Sequence, residues 1–432
     1  MEGAEKQEKY NKGNEVTTFS VPFALTELKE GIAITTNTPS KEQIIDQAFK
    51  FHSQGNILEA IKYYRYCINQ GINDHRVYTN YGSILKDLGN LEEAEISIRK
   101  AIFIKDNDAL AHSNLGIILR DLGNLEEAAI SARKAIKLNP YSAEGYSNLG
   151  IILRDLGNLE EAERLTYKAI KLKSNFSSAA FNLYGLANNI QEAEERIIKC
   201  LKMDKNHLKA KLTLSALKLH QGDRSLFEKL KESTHKDHPY MRSISWILTL
   251  PNLPKLFFNK WALFDHIIKK SKKDRPFIEF GVCRGVSFKY LMNSFTKGYG
   301  FDTFEGLPEK WHHETQGRYS ADGIIPKIDG GEFLKGKFED TLPTFFTKPR
   351  SMASIINFDA DLYSSTICAL TYSKPVIDEH TILIFDEFIM NDNWEEDEYK
   401  ALNEFCDTNN LSYKVIAISY MSKQVAVRLS GV

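Results

Sequence analysis

One seven-residue segment, Leu-Gly-Asn-Leu-Glu-Glu-Ala, occurs three times in the first half of the chain. Its copies begin at Leu88, Leu122 and Leu156, so that successive copies are equally spaced. A weaker copy begins at Gln54, upstream by the same interval. A period of about 34 residues, with apolar residues at helical spacing, indicates pairs of antiparallel helices that stack side by side. Because one pair cannot bury its apolar face alone, the repeats predict an α-solenoid.

Turn residues fall where such helix pairs need them. The dipeptides Gly123-Asn124 and Gly157-Asn158 suit a tight turn that requires a residue in the left-handed conformation. The pattern resembles the tetratricopeptide repeat (TPR). A fifth unit, around Asn182 to Leu201, is slightly shorter than the others. A degenerate pair near Leu212 to Leu230 is expected to close the stack.

An asparagine recurs at the same place in the first helix of each predicted pair, at Asn80, Asn114, Asn148 and Asn182. A carboxamide both donates and accepts hydrogen bonds, so such a ladder could hold an extended peptide backbone without reading its sequence. It resembles the asparagine ladder of TPR regions in protein-modifying enzymes and predicts a protein or peptide partner. The alternative stays open that these residues only solvate a helix face. The same two interpretations apply to a second ladder, formed by Lys86, Arg120 and Arg154.

Composition excludes several classes of protein. Lys and Arg number 56 and Asp and Glu 57, so the net charge of −1 provides no basic footprint for nucleic acid. No stretch approaches the roughly 18 apolar residues of a membrane helix, and Met1 to Glu15 lacks the apolar core of a signal peptide. The 5 cysteines are far apart and without CxxC spacing, which is typical of reduced thiols. We therefore expect a cytoplasmic protein without a nucleic-acid partner or a membrane span.

The pattern changes near residue 237, where prolines interrupt an aromatic, helical stretch. Its composition predicts a connector that packs between two domains. Beyond Pro276, short apolar runs alternate with amphipathic stretches. We predict four parts: a loose segment over residues 1–40, TPR repeats over 41–236, the helical connector over 237–274, and an α/β domain over 275–432.

The second half alternates strands and helices. The predicted strands are 277–282, 299–304, 354–359, 381–385, 414–419 and 424–429, with helices over 285–294, 363–376 and 395–407. This alternation favours a Rossmann-like, mostly parallel sheet with ligands at the carboxyl ends of its strands. The last two strands lie close together in the chain, which suits an antiparallel hairpin. A parallel sheet closed by such a hairpin looks like the seven-stranded class I fold of S-adenosylmethionine (SAM) methyltransferases.

The first predicted strand of this half runs into a loop bounded by Gly281 and Gly285. Glycines let the backbone approach a ligand, although the GxxxG spacing matches neither the dinucleotide-binding nor the Walker A pattern. The second strand ends in Asp302. An acid at that place, roughly 20 residues after the glycines, can accept hydrogen bonds from ribose hydroxyls. The two features together indicate a cofactor that contains a nucleoside.

Acidic residues follow two further strands. Asp359 follows one, and Asp386 and Glu387 follow the next, so the three should meet at one edge of the sheet. Carboxylates gathered in a pocket repel one another unless a cation joins them, and hard oxygen ligands suit Mg²⁺ or a similar ion. Asp361 and the run Glu395 to Glu398 have a plainer interpretation, as solvated acids that cap helices.

In this order, the segments resemble the macrocin O-methyltransferase (TylF-type) family of SAM-dependent sugar O-methyltransferases, over about residues 276–405. The resemblance is carried by the Glu-Phe-Gly-Val-x-Arg-Gly loop, by 301–308, by Asp340-Thr341-Leu342-Pro343, by 359–366 and by Asp386-Glu387. It implies SAM bound over the glycine loop, with cofactor contacts from Glu279, Gly281, Gly285, Ser287, Asp302 and Asp340. It further implies a divalent metal held by Asp359, Asp386 and Glu387, with Asp359 also the general base. Family members with known sugar substrates often carry Asp-Asp where this chain has Asp386-Glu387.

The resemblance thus implies SAM-dependent, metal-assisted methyl transfer to a hydroxyl of a sugar or glycoconjugate, with the TPR array recruiting a partner protein. A metal lowers the pKa of a bound hydroxyl, and a nearby carboxylate can take its proton. His312 and His313 are predicted to belong to a substrate lid, with one of them as an alternative base. Two other functions stay open. One is a peptide-binding scaffold with an inactive catalytic half. The other is a TPR-fused glycosyltransferase, because Asp359-x-Asp361 superficially resembles the metal motif of such enzymes.

Overall fold

The structure is a computed structural model that describes residues 40–432, so the segment predicted to be loose lies, apart from Ser40, outside the described residues. The chain divides into two compact units, one ending at Asp121 and the other extending from Leu122 to Val432. The second unit contains both helical repeats and the sheet. Within the described part, none of the helices combines the length and hydropathy that a bilayer-crossing helix needs.

Helices alone form the described part of the first unit. They are α1 (Lys41–Ser53), α2 (Ile57–Asn69), α3 (His75–Asp87), α4 (Leu91–Ile104) and α5 (Ala109–Asp121). The turn between α3 and α4 contains Gly89 at φ +81°, a left-handed conformation that glycine adopts without steric cost. Small and apolar residues such as Ala94 and Ile98 are fully buried between the helices. The periodic sequence therefore folds as predicted, into helix pairs joined by glycine turns.

The second unit continues the repeats. Its first helices are α6 (Leu125–Leu138), α7 (Ala143–Asp155), α8 (Leu159–Leu172), α9 (Ser177–Tyr184), α10 (Ile190–Met203), α11 (Leu208–His220), α12 (Ser225–Lys231) and α13 (Pro239–Ile247). The predicted shortening of the fifth repeat falls on α9, which has only 8 residues. Helices α11 and α12 lie where the degenerate pair is predicted and are followed by α13, so its role in closing the stack stays a prediction.

An eight-stranded sheet follows, formed by β1 (Lys255–Phe257), β2 (Phe277–Phe280), β3 (Gly298–Asp302), β4 (Gly331–Lys335), β5 (Ile355–Phe358), β6 (Ile382–Phe385), β7 (Ser412–Ser419) and β8 (Val425–Ser430). The strand order is β1-β7-β8-β6-β5-β2-β3-β4. Only β8 runs antiparallel to its neighbours, β6 and β7, which confirms the predicted hairpin.

The expected count of seven strands is wrong. The additional edge strand, β1, pairs in parallel with β7 and lies inside the segment predicted to be a helical connector. Its 3 residues are too few to show a strand period in the sequence. Strand β4 is also not among the predicted strands, because Gly331-Glu332-Phe333-Leu334-Lys335 lacks a regular alternation of apolar and polar residues.

The remaining helices are α14 (Lys260–Lys270), α15 (Val286–Met292), α16 (Phe338–Phe346), α17 (Tyr363–Ser373) and α18 (Glu398–Asn409). All residues of β2, β5 and β6 are buried, as expected for central strands covered on both faces. Strand β2 pairs with β3 on one side and with β5 on the other. The strand order therefore reverses between β2 and β5, and a crevice for a ligand opens at the carboxyl ends of these strands.

The connector packs against the repeats of the same unit. The indole Nε1 of Trp261, a residue only 2% exposed, donates a hydrogen bond of 2.7 Å to the carbonyl oxygen of Arg154. The Asn259 side chain donates to the carbonyl oxygen of Gly185 at 3.0 Å. The tip of the β7–β8 hairpin reaches the last repeat helices, where His220 Nε2 and the Tyr420 hydroxyl lie 2.8 Å apart. These contacts fix the repeats of the second unit to the sheet.

We predict that Trp261→Ala lowers the free energy of unfolding by about 3–5 kcal/mol, because it removes a buried indole together with its hydrogen bond. Chemical denaturation followed by far-UV circular dichroism measures this change. Tyr141→Ala, at a residue that is 83% exposed in the same unit, is the matched control and should change the midpoint little. Equal effects of the two substitutions would contradict the described packing.

Candidate active site

A cavity of about 290 Å³ lies at the carboxyl ends of the central strands. Its walls come from the glycine loop after β2, from the turns after β3, β5 and β6, and from the start of α16. The predicted site residues in its lining are Gly281, Asp302, Asp359, Asp386 and Glu387. The cavity therefore brings together the nucleoside-associated residues and the three acids predicted to follow strand ends.

Gly281 occupies the place where the strand order reverses. Its φ is +84°, and a Cβ atom at this residue would lie 1.7 Å from the carbonyl oxygen of Asp359. Any side chain would therefore clash with the backbone that follows β5. This close approach of two strand ends explains the glycine and sets the floor of the cavity.

Asp302 organises the glycine loop. Its Oδ2 accepts hydrogen bonds from the backbone N–H groups of Val282, at 2.7 Å, and Cys283, at 2.6 Å. Its Oδ1 accepts from the N–H of Phe304 at 2.7 Å. A carboxylate with three N–H donors is held in one orientation at the cavity wall. Its predicted contact with a ribose stays a prediction.

The other predicted cofactor residues lie outside the cavity lining. Glu279 and Ser287 are only 1% and 7% exposed, beneath and beside the glycine loop. Gly285, at φ +77°, starts α15, and a Cβ there would approach Ile328 to 3.0 Å. Asp340 is exposed on α16, although its neighbour Glu339 lines the cavity. The structure thus does not bring Asp340 to the cavity.

Burial raises the pKa of Asp359 well above its ordinary value, and the nearby charge of Asp386 raises it further. Asp361 also lines the cavity, and burial followed by the charge of Glu387 raises its pKa as well. Its backbone has φ +58°, in the left-handed region, which turns the chain after β5 into the cavity. The interpretation of Asp361 as a solvated helix cap is therefore wrong.

The interpretation of the run Glu395 to Glu398 as solvated is wrong for its last two residues. Asp397 is 5% exposed and Glu398 is fully buried. Glu398 Oε2 accepts a hydrogen bond from the N–H of Glu387 at 3.1 Å, and burial raises the pKa of Glu398 well above its ordinary value. The aromatic residues Trp394 and Tyr399, which flank these acids in the sequence, could have indicated their burial, because the two rings pack together beside the start of α18.

Side chains of the protein itself offset part of the negative charge. Lys423 Nζ donates to Glu387 Oε2 at 2.9 Å, and the Gln424 amide donates to Asp386 Oδ1. Among residues 40–432, no three His, Cys, Asp or Glu side chains are arranged as a metal-ligand set. The described geometry therefore does not support the expected Mg²⁺ site: protein side chains contact one oxygen each of Asp386 and Glu387, two of its three carboxylates. Sequence spacing could not show this, since Lys423 is distant from Glu387 in the chain.

The predicted lid lies beside the cavity. Trp311 lines it, and its Nε1 donates to Asp397 Oδ1 at 3.2 Å. His312 Nε2 lies 2.7 Å from Asp397 Oδ2 and is not part of the lining, whereas His313 is largely exposed. His312 thus contacts Asp397 just before α18 and, through Nδ1 at 3.3 Å, the Asn393 side chain, and its role as an alternative base stays a prediction.

The asparagines of the repeats each lie half-buried in the first helix of a pair. Within the first unit, burial raises the pKa of Tyr64 to about 12, and the nearby Asn80 side chain partly opposes that shift. The second ladder forms local ion pairs: Lys86 with Asp87 at 3.0 Å, Arg120 with Asp121 at 3.1 Å and Arg154 with Asp155 at 2.9 Å. These pairs are consistent with residues that stabilise each repeat.

Glu279 gives a prediction on pH dependence. Burial raises the pKa of its carboxyl to about 8 from the ordinary 4.5, although a hydrogen bond from Asn357 partly opposes the shift. Folding therefore favours the protonated form, and stability is lost as the pH rises from about 4.5 to about 8. We predict that Glu279→Gln raises the unfolding midpoint relative to wild type at pH 9 but not at pH 5. Glu379→Gln, at a side chain that is 77% exposed, is the control, and equal pH slopes in wild type and Glu279→Gln would contradict the assignment.

Comparisons with known proteins address the two halves separately. Residues 75–108, 109–142 and 132–164 match models of the tetratricopeptide repeat. Residues 328–425 match the model described as macrocin-O-methyltransferase (TylF). That match begins after the glycine loop and Asp302, and extends further toward the C-terminus than the resemblance predicted from the sequence. No curated protein matches the chain.

Several solved structures are similar at low identity. PilF of Pseudomonas aeruginosa is 18% identical, with a TM-score of 0.41, over 48% of this chain and 96% of that one. TTC0263, a TPR protein of Thermus thermophilus, is 16% identical, with a TM-score of 0.36, and the match covers 42% of this chain and 100% of that one. YrrB, described as a TPR protein with an unusual peptide-binding site, is 19% identical, with a TM-score of 0.33, and the match covers 42% of this chain and 97% of that one.

The family models confirm the resemblances predicted for both halves of the chain. Residues 75–164 are tetratricopeptide repeats, and residues 328–425 are similar to the macrocin O-methyltransferase (TylF) family.

Proposed function

We propose that this protein is a SAM-dependent O-methyltransferase whose acceptor is a hydroxyl of a sugar or glycoconjugate. The observation that carries the proposal is the cavity in which Gly281, Asp302 and Asp359 meet, where the strand order reverses. Ligands of doubly wound sheets bind at such a place. The match of residues 328–425 to a methyltransferase family gives independent support from sequence.

The residues around the glycine loop fit SAM. Gly281 leaves room beside the backbone, and Asp302 faces the cavity from the end of β3, where a ribose would lie. Beneath the loop, Glu279 Oε2 is buried without a hydrogen-bond partner in the described structure, and a cationic group of a ligand could satisfy it. SAM, when bound, supplies an electrophilic methyl group. The chain would hold it through Gly281, Asp302 and Glu279.

Asp359 is the proposed general base. It lines the cavity, and its raised pKa makes the ionised carboxylate a stronger base than an ordinary aspartate. A hydroxyl placed within hydrogen-bond reach could transfer its proton to this oxygen as it becomes a nucleophile. The negative charge of Asp386 raises the pKa of Asp359 and therefore stabilises the proton that Asp359 acquires.

The lining of the cavity favours a small acceptor that carries hydroxyl groups. Trp311 and Tyr319 present aromatic rings, while Asp361, Ser365 and Glu387 present polar groups. Apolar walls with a few placed polar groups are typical of small-molecule sites, and hydroxyl groups need hydrogen-bond acceptors such as carboxylates. The described carboxylates do not form a ligand set for the divalent ion that the family resemblance implies.

The TPR repeats support a protein or peptide partner. We propose that the asparagine ladder contacts the backbone of that partner, because Asn148 and Asn182 lie half-buried at the same place in α7 and α9. The repeats of the second unit are attached to the sheet through Trp261 and Asn259. A bound partner would thus be held on the same compact unit as the cavity.

Asp359→Asn should reduce methyl transfer at least ~100-fold, because a carboxamide cannot accept the proton. We expect SAM affinity to change less than threefold, since the isosteric substitution leaves the cavity shape intact. Transfer of a tritiated methyl group to a panel of sugars and glycoconjugates measures the first quantity, and titration calorimetry the second. Asp329→Asn, at an exposed aspartate, is the matched control.

Two results would overturn the proposed function. Absence of SAM binding by the wild-type protein would favour the scaffold with an inactive catalytic half. Binding of UDP-sugars in place of SAM and S-adenosylhomocysteine would favour the glycosyltransferase.

For the repeats, we predict that the double variant Asn148→Ala/Asn182→Ala weakens peptide binding about tenfold, from the loss of two hydrogen bonds to a backbone. Fluorescence anisotropy with extended peptides selected on the wild-type protein from a degenerate library measures the affinity. Asn175→Ala, at an exposed turn residue, should leave it unchanged. If the double variant bound the peptides as tightly as the wild type, the asparagines would only solvate a helix face.

A further inference from the structure

Lys260, the first residue of α14, extends its side chain from the connector toward the glycine loop. Its Nζ donates a hydrogen bond of 3.2 Å to Ser287 Oγ, in the first turn of α15. Ser287 is only 7% exposed and lies just beyond Gly285 in the chain. A lysine ammonium has three donors, so the bond to Ser287 leaves further donors for a ligand. The connector thus contributes a cation to the cofactor loop of the sheet.

The carboxylate of Glu279 lies close to this cation. Its Oε1 accepts a hydrogen bond of 3.0 Å from the Asn357 side chain, while its Oε2 is fully buried and has no partner among residues 40–432. The positive charge of Lys260 lowers the pKa of Glu279 against the larger effect of burial. A cation and an unsatisfied carboxylate oxygen therefore both border the turn between β2 and α15. A ligand group that combines an anion with a hydrogen-bond donor would be complementary to them.

Contacts on both sides of Lys260 hold it in place. Asn259, 5% exposed, donates through its side chain to the Gly185 carbonyl, and Trp261 donates to the Arg154 carbonyl. Asn259 also caps α14, because its Oδ1 accepts from the N–H of Ala262 at 2.9 Å. The backbone at Lys260 is therefore fixed by the repeat helices, and its ammonium reaches Ser287 from a rigid base.

The amino-acid end of SAM carries an α-carboxylate and an α-ammonium. We infer that Lys260 binds the α-carboxylate of SAM, with Glu279 beneath the loop available to the α-ammonium. This inference rests on the proposed function and identifies a cofactor-binding residue outside the sheet. It also gives the repeats a role in catalysis that is separate from partner recruitment, because they position the lysine.

The test compares cofactors that differ only at this group. Titration calorimetry on the full chain measures the affinities of SAM and of decarboxylated SAM for wild type, Lys260→Met, Lys260→Arg and Lys269→Met. Lys269 is an exposed lysine of the same helix and is the matched control. We expect Lys260→Met to bind SAM about 10- to 100-fold more weakly, as for loss of a charge-assisted hydrogen bond, and decarboxylated SAM with unchanged affinity. Lys260→Arg should retain part of the preference for SAM.

Three results would overturn the inference. If Lys260→Met lost affinity for SAM and for decarboxylated SAM equally, Lys260 would have a structural role. Thermal unfolding of the variant would then show a lower midpoint than that of the wild type. Unchanged SAM affinity in Lys260→Met would show that no contact exists. Wild-type protein that binds neither cofactor would overturn the proposed function itself, and the inference with it, whereas the first two results leave the proposed function intact.

Discussion

The candidate site depends on the cost of placing several carboxylates in one enclosed space. Asp359, Asp361 and Asp386 line the cavity, and Glu398 is fully buried behind them. In a medium of low polarisability, neighbouring negative charges repel strongly, and each group shifts toward its neutral form. The structure offsets the remaining charge with lysines that belong to no strand: Lys423 at the tip of the hairpin and Lys260 at the start of α14. The hairpin and the connector are therefore parts of the site as much as of the fold.

The parts of the fold that have a local period could be predicted from the sequence. Regularly spaced glycine turns marked the helix pairs, and apolar runs marked the buried central strands together with the residues that follow them, Gly281, Asp302 and Asp359. Elements without a local signal were missed. Strand β1 has only 3 residues, and β4 lies at the opposite edge of the sheet, where alternation is weak. A strand this short is stabilised by pairing with β7, which no window of neighbouring residues can show.

Within the site, the sequence located carboxylates but not their partners. The pairing of Glu387 with Lys423 and of Asp386 with Gln424 joins residues that are 36 and 38 positions apart. Only the antiparallel return of β8 between β6 and β7 brings them together. The prediction for the acids at the start of α18 is wrong for a similar reason, since Glu398 follows charged neighbours yet is fully buried and accepts a hydrogen bond from Glu387. Spacing rules identify which groups reach a sheet edge, whereas the neutralising groups arrive by topology.

The hydrogen bond between His220 and Tyr420 has a consequence for biogenesis. These residues are 200 positions apart, and Met421 beside Tyr420 packs on Gly185. During synthesis the repeat helices emerge long before the hairpin that covers them, so their docking face stays exposed until that hairpin has left the ribosome. Contacts of such sequence separation form late, because loop closure must precede them. A nascent chain of this protein is therefore expected to need shielding of that face until the hairpin has been synthesised and has folded.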